Sequence, residues 1–386
     1  MIVNQWIPAA HRRDAIGGNA RHIRDLLRRM GHQSDLYSLT IDEDLQGDVL
    51  PFPHPTSHGG DMTILHYALP SPMTDAFARL PGGRILQYHN ITPAHFFAFY
   101  DPALFRLAVL ARQELATLVG RVDLALGVSE FNRQELESLG FATTGVLPLA
   151  VDTTRITRKV ERPALEQILN DDFVNFLFVG RIAPNKSIED HIRLAEHYKR
   201  YVDAYYRFIF VGRYDAVPRY YSTIRALMSD YRMMNERFVF TGPVPDEDLA
   251  IYYRHAAVYI SLSEHEGFCA PLVEAMAADV PILAYGAAAV PETLGGAGLQ
   301  FAPKDLEYAA ELAGALAFDD GLRSRIIAGQ RRRLADFGDD HIVRQLGSIL
   351  RDGLPDHRQT GSVARQAEGG QRDTSSAGMS GPPEST

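Results

Sequence analysis

Apolar residues along this chain come in short continuous runs separated by stretches of helical periodicity. Runs at 1–7, 33–38, 62–67, 84–88, 124–128 and 145–149 read as strands. A second series follows at 173–179, 207–212, 237–241, 258–262, 280–284 and 299–301. The runs do not alternate polar with apolar, which suits strands covered on both faces of a parallel sheet. Between them lie helical patterns. Ala20, Ile23, Leu26, Leu27 and Met30 share one face, and Gly31 is a natural stop. Residues 104–118 predict a strong helix, and Ser129 can cap a helix over 130–139. Strand–helix alternation of this kind predicts an α/β fold of two doubly wound halves. The first half spans 1–150 and the second 151–337, with 150–172 as a polar connection. Residues 8–19, which contain Gly17 and Gly18, read as a loop. Residues 43–60, rich in Pro, Gly, Asp and His, read as an irregular loop. Residues 352–386 have almost no large apolar side chains, which predicts a disordered tail.

Composition narrows the class. The 386 residues are 46% hydrophobic and 23% charged, as in a soluble globular protein, with room for two domains. A net charge of -9 argues against general nucleic-acid binding. The single cysteine, Cys269, rules out an intramolecular disulfide. No basic-then-apolar leader and no apolar run of membrane-spanning length is visible, so the expected location is cytoplasmic. The helix over 20–30 carries Arg21, Arg24, Arg28 and Arg29 on its polar face. This is either a solvated basic face or a peripheral contact with an anionic membrane.

Two stretches carry the chemistry. The strand at 258–262 runs into Glu266-Gly267-Phe268-Cys269-Ala270-Pro271-Leu272-Val273-Glu274. Pro271 suits a first helical turn, so the segment reads as strand, tight loop and helix start. Ligands of open parallel sheets sit beyond the carboxyl ends of strands, and a helix start attracts phosphate. Glu266 and Glu274 flank this turn, and carboxylates accept hydrogen bonds from vicinal hydroxyls. The other stretch is Gly180-Arg181, followed by Ile182-Ala183-Pro184-Asn185-Lys186. It puts two cations on one loop at a strand end, where they suit a diphosphate.

The 266–274 stretch resembles the E-x7-E signature of retaining nucleotide-sugar glycosyltransferases of the GT-B fold, family four. The Gly180–Lys186 stretch resembles the Gly-Arg…Lys loop of the same family. Cys269, Ala270 and Ser187 depart from it; residues 269 and 187 are often Gly there, and residue 270 is often Leu. The resemblance runs from about residue 1 to 350. It implies two Rossmann-like domains facing a cleft, with a last helix, 338–351, crossing back toward the first domain. It also implies roles. Arg181 and Lys186 hold the diphosphate, with Gly180 and the amides of Gly267, Phe268, Cys269, Ala270 and Leu272 around it. Glu274 holds the ribose. Glu266 and His89, the latter in Gln87-Tyr88-His89-Asn90, orient the donor sugar. Gly17 and Gly18 look like the family's glycine loop, with Gly18 letting the backbone approach the ligand. Glu292 resembles a recurrent family position, and is as readily a helix start or loop anchor.

No Asp-x-Asp stands at a strand end, and the cations at 181 and 186 can do the charge work of a divalent ion. Metal-independent chemistry without a cofactor is therefore expected. The implied reaction moves a hexose from a nucleoside-diphosphate sugar to a saccharide, lipid-linked saccharide or other hydroxyl acceptor, in surface polysaccharide or glycoconjugate synthesis. GDP-mannose and UDP-glucose lead as donors. The rival readings are an epimerase, a phosphorylase of similar architecture, and an inactive nucleotide-sugar-binding subunit.

Overall fold

The computed structural model describes residues 1–11, 14–233 and 235–352. The first sheet is built from β1 (Val3–Ala10), β2 (Leu36–Ile41), β3 (Leu50–Pro51) and β4 (Met62–Tyr67). It continues with β5 (Gly83–Tyr88), β6 (Leu124–Gly127) and β7 (Thr144–Val146). The second sheet is built from β8 (Val174–Val179), β9 (Tyr206–Val211) and β10 (Phe238–Gly242). Strands β11 (Val258–Ser261), β12 (Ile282–Tyr285) and β13 (Leu299–Phe301) complete it. The spatial orders are β3-β2-β1-β4-β5-β6-β7 and β10-β9-β8-β11-β12-β13. All named pairs are parallel. Each order reverses once, between β1 and β4 and between β8 and β11. These are the topological switch points at which open α/β sheets leave a crevice.

The connecting helices in the first half are α1 (Ala15–Arg29), α2 (Pro72–Phe77), α3 (Pro102–Thr117) and α4 (Glu130–Ser138). Then come α5 (Thr154–Thr157), α6 (Pro163–Leu169), α7 (Ile188–Tyr201), α8 (Pro218–Asp230) and α9 (Asp246–Arg254). The series ends with α10 (Ala270–Ala277), α11 (Val290–Leu294), α12 (Leu306–Phe318), α13 (Asp320–Leu334) and α14 (Asp339–Asp352). The two faces of the second sheet pack into separate cores. Phe176, Phe178, Phe208 and Phe210 face one, while Leu177, Ile209 and Tyr259 face the other. Each such buried side chain contributes about 1.5–3 kcal/mol. Helix α14 buries Ile342, Leu346 and Ile349 in one cluster with Val3, Ile23, Leu26 and Leu27 of the first sheet and α1. Among the described residues no helix is long and apolar enough to cross a membrane.

The structure departs from the sequence reading in several places. Gly17 and Gly18 are helical, not loop. Asp14 caps α1, its side chain accepting from the Gly17 amide at 3.0 Å, and the Gly18 amide donates to the Asp14 carbonyl at 2.8 Å. A short polar cap outweighs two glycines as a local signal here. Of the arginines of this helix only Arg24 is withdrawn from the basic face; Arg28 and Arg29 are exposed and pair with carboxylates at the surface. Arg24 is buried and pairs with Asp25 at 2.9 Å and Asp48 at 2.8 Å. Arg28 pairs with Asp35, and Arg29 with Asp339. Arg21 donates to the Gly17 carbonyl.

The 43–60 segment is not wholly irregular, since it holds a 3₁₀ turn at Glu43–Leu45 and the edge strand β3. The 150–172 connection also has structure. Ile156 of α5 and Leu169 of α6 are buried, and Arg155, Arg158 and Arg162 pair in turn with Asp246, Glu247 and Asp248. The tail predicted as disordered, 352–386, lies outside the described residues apart from its first position.

Candidate donor-binding site

The two sequence stretches meet beyond the switch point of the second sheet. The loop after β8 ends in Lys186, and the loop after β11 carries Glu266. The Lys186 ammonium and a Glu266 carboxylate oxygen are 2.5 Å apart, both mostly buried. Asn185 joins the same loops through its backbone and side chain. Its carbonyl accepts from the Glu264 amide at 2.9 Å, and its Nδ2 donates to the His265 carbonyl at 3.0 Å. Arg181, at the start of the loop after β8, is exposed and has no side-chain partner among the described residues.

The turn into α10 is built to accept an anion. Among the described residues, the amides of Gly267, Phe268, Cys269 and Ala270 donate to no protein acceptor. They precede a helix whose dipole places partial positive charge there. The Leu272 amide, expected in this set, instead donates to the Cys269 carbonyl at 3.0 Å, because it already lies inside the first helical turn. Cys269 stands in the left-handed region at φ 68, and Ser187, on the neighbouring loop, at φ 47. Both are positions where the resembled family often has glycine, and positive φ is the physical reason. Burial beside Glu266 pushes the Cys269 thiol well above its usual range.

Glu274 is buried, at 3% exposure, rather than open at the helix start. One carboxylate oxygen accepts from Arg155 and the other from the Tyr253 hydroxyl at 2.8 Å. Arg155 also reaches Asp246 at 3.1 Å. Burial works against the Arg155 charge, but Glu274 and Asp246 outweigh it and raise its pKa.

The C-terminal ends of the first sheet close on this loop. The Gly267 carbonyl accepts from Ser129 Oγ at 2.7 Å and from Asn132 Nδ2 at 3.1 Å, both at the start of α4. A Cβ on Gly267 would lie 2.4 Å from Asn90 Cβ, so only glycine fits. Asn90 Oδ1 lies 2.7 Å from His265 Nε2. Burial lowers the His265 pKa to about 4 despite the neighbouring Glu266. Phe96 and Phe131 lie against the His265 ring. Glu292 is a loop anchor here. Its carboxylate caps α4 from the other sheet, accepting from the Glu130 amide at 2.7 Å and the Phe131 amide at 3.3 Å. Burial raises its pKa, against those two amides. His89 is half-buried just past β5, with Nε2 2.9 Å from Nδ1 of His66. Burial lowers its pKa to about 3.

Of the predicted site residues, Gly180, Arg181, Lys186, Glu266, Gly267, Phe268, Cys269, Ala270 and Glu274 lie on two adjoining loops and one helix start. His89 lies across from them, its carbonyl 3.1 Å from a Cβ placed on Gly267. Gly18 is in α1 with open space at its Cβ position. Sequence reasoning missed Asn90, Ser129 and Asn132 as loop holders, and also Arg155, Tyr253 and His265. Their common signal is position: Asn90, Ser129 and His265 each lie just beyond a strand's carboxyl end. Among the described residues, no three His, Cys, Asp or Glu side chains converge as metal ligands would.

Residues 164–333 match the family Glycosyl transferases group 1. The O-antigen chain mannosyltransferase B of Escherichia coli is 40% identical over 68 residues, 18% of either chain. The putative colanic acid biosynthesis glycosyltransferase WcaL of Salmonella typhimurium is 26% identical over 251 residues, 61% of this chain and 58% of that one. The chain thus spans between 18% and 58% of the length of these curated relatives. The crystal structure of Anabaena Alr3699/HepE in complex with UDP-glucose superposes with a TM-score of 0.71 at 15% identity, covering 91% of this chain and 99% of that one. The paired parallel sheets and these likenesses agree: residues 164–333 match glycosyl transferases group 1, and the chain carries the GT-B fold.

Proposed function

We propose that this chain is a retaining glycosyltransferase that moves a hexose from a nucleoside-diphosphate sugar to a saccharide, lipid-linked saccharide or other hydroxyl acceptor. The observation that carries the reading is the convergence of exposed Arg181, the Lys186–Glu266 pair and the undonated amides of 267–270 beyond one switch point. Cations and free amides on one anion-binding turn suit a diphosphate, as ground-state anchors and as stabilisers of the charge that develops on departure. Glu266 orients the sugar while paired with Lys186, and His89 approaches from the first sheet. A carboxylate has about four lone-pair sites. Arg155 and Tyr253 occupy two on Glu274, which leaves two for ribose hydroxyls. Metal-independent chemistry fits this arrangement, since fixed cations can neutralise the leaving diphosphate. The names of the relatives, a mannosyltransferase and a UDP-glucose complex, keep GDP-mannose and UDP-glucose as the leading donors. A role in surface polysaccharide synthesis follows the same names. Arg24 is buried while Arg28 and Arg29 are exposed, so membrane contact through α1 would rest on a smaller basic face than its sequence suggests.

Product analysis tests the reading. Purified protein is given UDP-glucose or GDP-mannose alone, with free phosphate, and with saccharide acceptors. Nucleoside diphosphate release that rises with an acceptor, together with a glycosylated product, supports transfer. Donor conversion without acceptor indicates an epimerase, dependence on phosphate indicates a phosphorylase, and binding without release under every condition indicates an inactive subunit.

A further inference from the structure

Behind His89 runs a buried polar chain that the donor site does not otherwise use. His66 is on β4 and Gln5 on β1, the two strands that flank the first sheet's switch point. His66 Nδ1 lies 2.9 Å from His89 Nε2, and His66 Nε2 lies 2.8 Å from Gln5 Oε1. Gln5 and His66 are fully buried, and only His89 is partly open to solvent. Buried polar groups placed beside an apolar core cost free energy unless each is satisfied. Such a chain at a switch point calls for a reason beyond packing.

We propose that Gln5 and His66 are positioning residues that fix the tautomer of His89, so that it offers a hydrogen-bond acceptor to a donor-sugar hydroxyl. The inference rests on the donor-sugar reading above. The logic follows the donors in order. With Gln5 Oε1 turned to His66 and Gln5 Nε2 left without a partner, the amide oxygen accepts and His66 carries its proton on Nε2. His66 Nδ1 is then bare and accepts from His89 Nε2–H. His89 Nδ1 is left without a proton, and as the free ring nitrogen it can accept but not donate. Burial keeps both rings neutral, which holds this pattern at ordinary pH; His66 is pushed well below its usual range. Turning the Gln5 amide over would reverse every donor in the chain, so the tautomer is a measurable consequence of the arrangement. The specificity expected is for a sugar hydroxyl that can donate at this point.

Histidine-selective ¹⁵N labelling of the full chain reads the tautomer directly, with His89 assigned by its loss in His89→Gln. At pH 7, wild-type His89 is expected to show protonated Nε2 and bare Nδ1. His66→Leu removes the partner and should give a mixture of tautomers. His66→Gln offers an amide oxygen to Nε2–H and should restore the wild-type pattern. Binding of UDP, GDP, UDP-glucose and GDP-mannose is then measured by calorimetry. His66→Leu should bind the bare nucleoside diphosphate as wild type does, which also shows that it is folded. It should bind the matching sugar nucleotide about five- to tenfold more weakly, the worth of about one hydrogen bond. His66→Gln should stay close to wild type. A protonated Nδ1 on wild-type His89 overturns the proposal, as does a His66→Leu variant that weakens neither ligand or both alike. If wild type binds none of the four probes, the donor reading fails and the proposal falls with it. That result is distinct from bare-nucleotide binding with no effect at His66.

Discussion

Removing Arg155 should expose how tightly Glu274 depends on it. Glu274 is 3% exposed, and its compensating charge is Arg155, with the Tyr253 hydroxyl as a neutral donor. Arg155→Ala leaves a buried carboxylate with that hydroxyl alone. Breaking a buried ion pair from one side costs about 3–5 kcal/mol, and partial exposure of Arg155 places the expectation near ~3 kcal/mol. Glu274→Gln should cost less, about 1–2 kcal/mol, because Arg155 keeps Asp246 at 3.1 Å and some solvent. Replacing both, Arg155→Met with Glu274→Gln, removes the charges together and should recover most of the loss, for a coupling of about 2 kcal/mol. The assay is urea unfolding followed by far-UV dichroism at pH 7. A cost of Arg155→Ala below about 1 kcal/mol, or a double variant no more stable than Arg155→Ala, would refute the reasoning.

Other consequences can be checked beside it. Glu292→Ala removes the acceptor of the Glu130 and Phe131 amides, while Ser129 still caps α4 through the Asn132 amide, and should cost about 1–2 kcal/mol by urea unfolding, with Glu292→Gln intermediate. Gly267→Ala drives a methyl group to 2.4 Å from Asn90 Cβ, so the loop must shift. It should lose about 1–3 kcal/mol of stability and measurable nucleotide affinity. Burial lowers the pKa of several described histidines: His89 to about 3, His191 and His265 to about 4, His66 well below its usual range, and His341 by a lesser amount. Folded pKa values below the unfolded value of about 6.5 mean that the unfolded chain binds more protons in between. Stability should therefore be full above about pH 6.5 and fall as pH drops toward 4, by up to about 1.4 kcal/mol per unit for each histidine. Unfolding at pH 5 with no net proton uptake would count against this.

Much of the fold was legible because parallel strands covered on both faces must be continuous apolar runs. Every predicted run became a strand, with ends shifted by a few residues. β3 escaped notice because two residues including Pro51 carry no periodic signal. The start of α1 was misplaced because Gly17 and Gly18 resemble a turn, whereas the Asp14 side chain decides the matter. The burial of Arg24 was not legible because its partner Asp48 is remote in sequence, whereas Arg28 and Arg29 are exposed as the sequence suggests. At the candidate site, Lys186 and Glu266 could be read from local motifs, and they do meet. Arg155 with Glu274, and Asn90 with His265, could not be, because only the folded topology brings them together across 119 and 175 residues. The burial of Glu274 belongs to the same class: a glutamate at a helix start looks exposed until the connection packs over it.

The most direct test of the central claim is a titration with UDP, GDP and ADP, with chelator and separately with Mg²⁺, following thermal stability. Wild type and Arg181→Ala are compared. Arg181 is exposed and unpartnered among the described residues, so its removal should leave the free protein's melting temperature unchanged. Binding to the folded state raises that temperature by mass action. The account predicts that one nucleotide stabilises wild type with chelator present, and that Arg181→Ala binds it about 10- to 100-fold more weakly, the worth of one charge-assisted phosphate contact. No stabilisation by any of the three, or an Arg181→Ala response equal to wild type, would contradict the placement of the diphosphate at this turn.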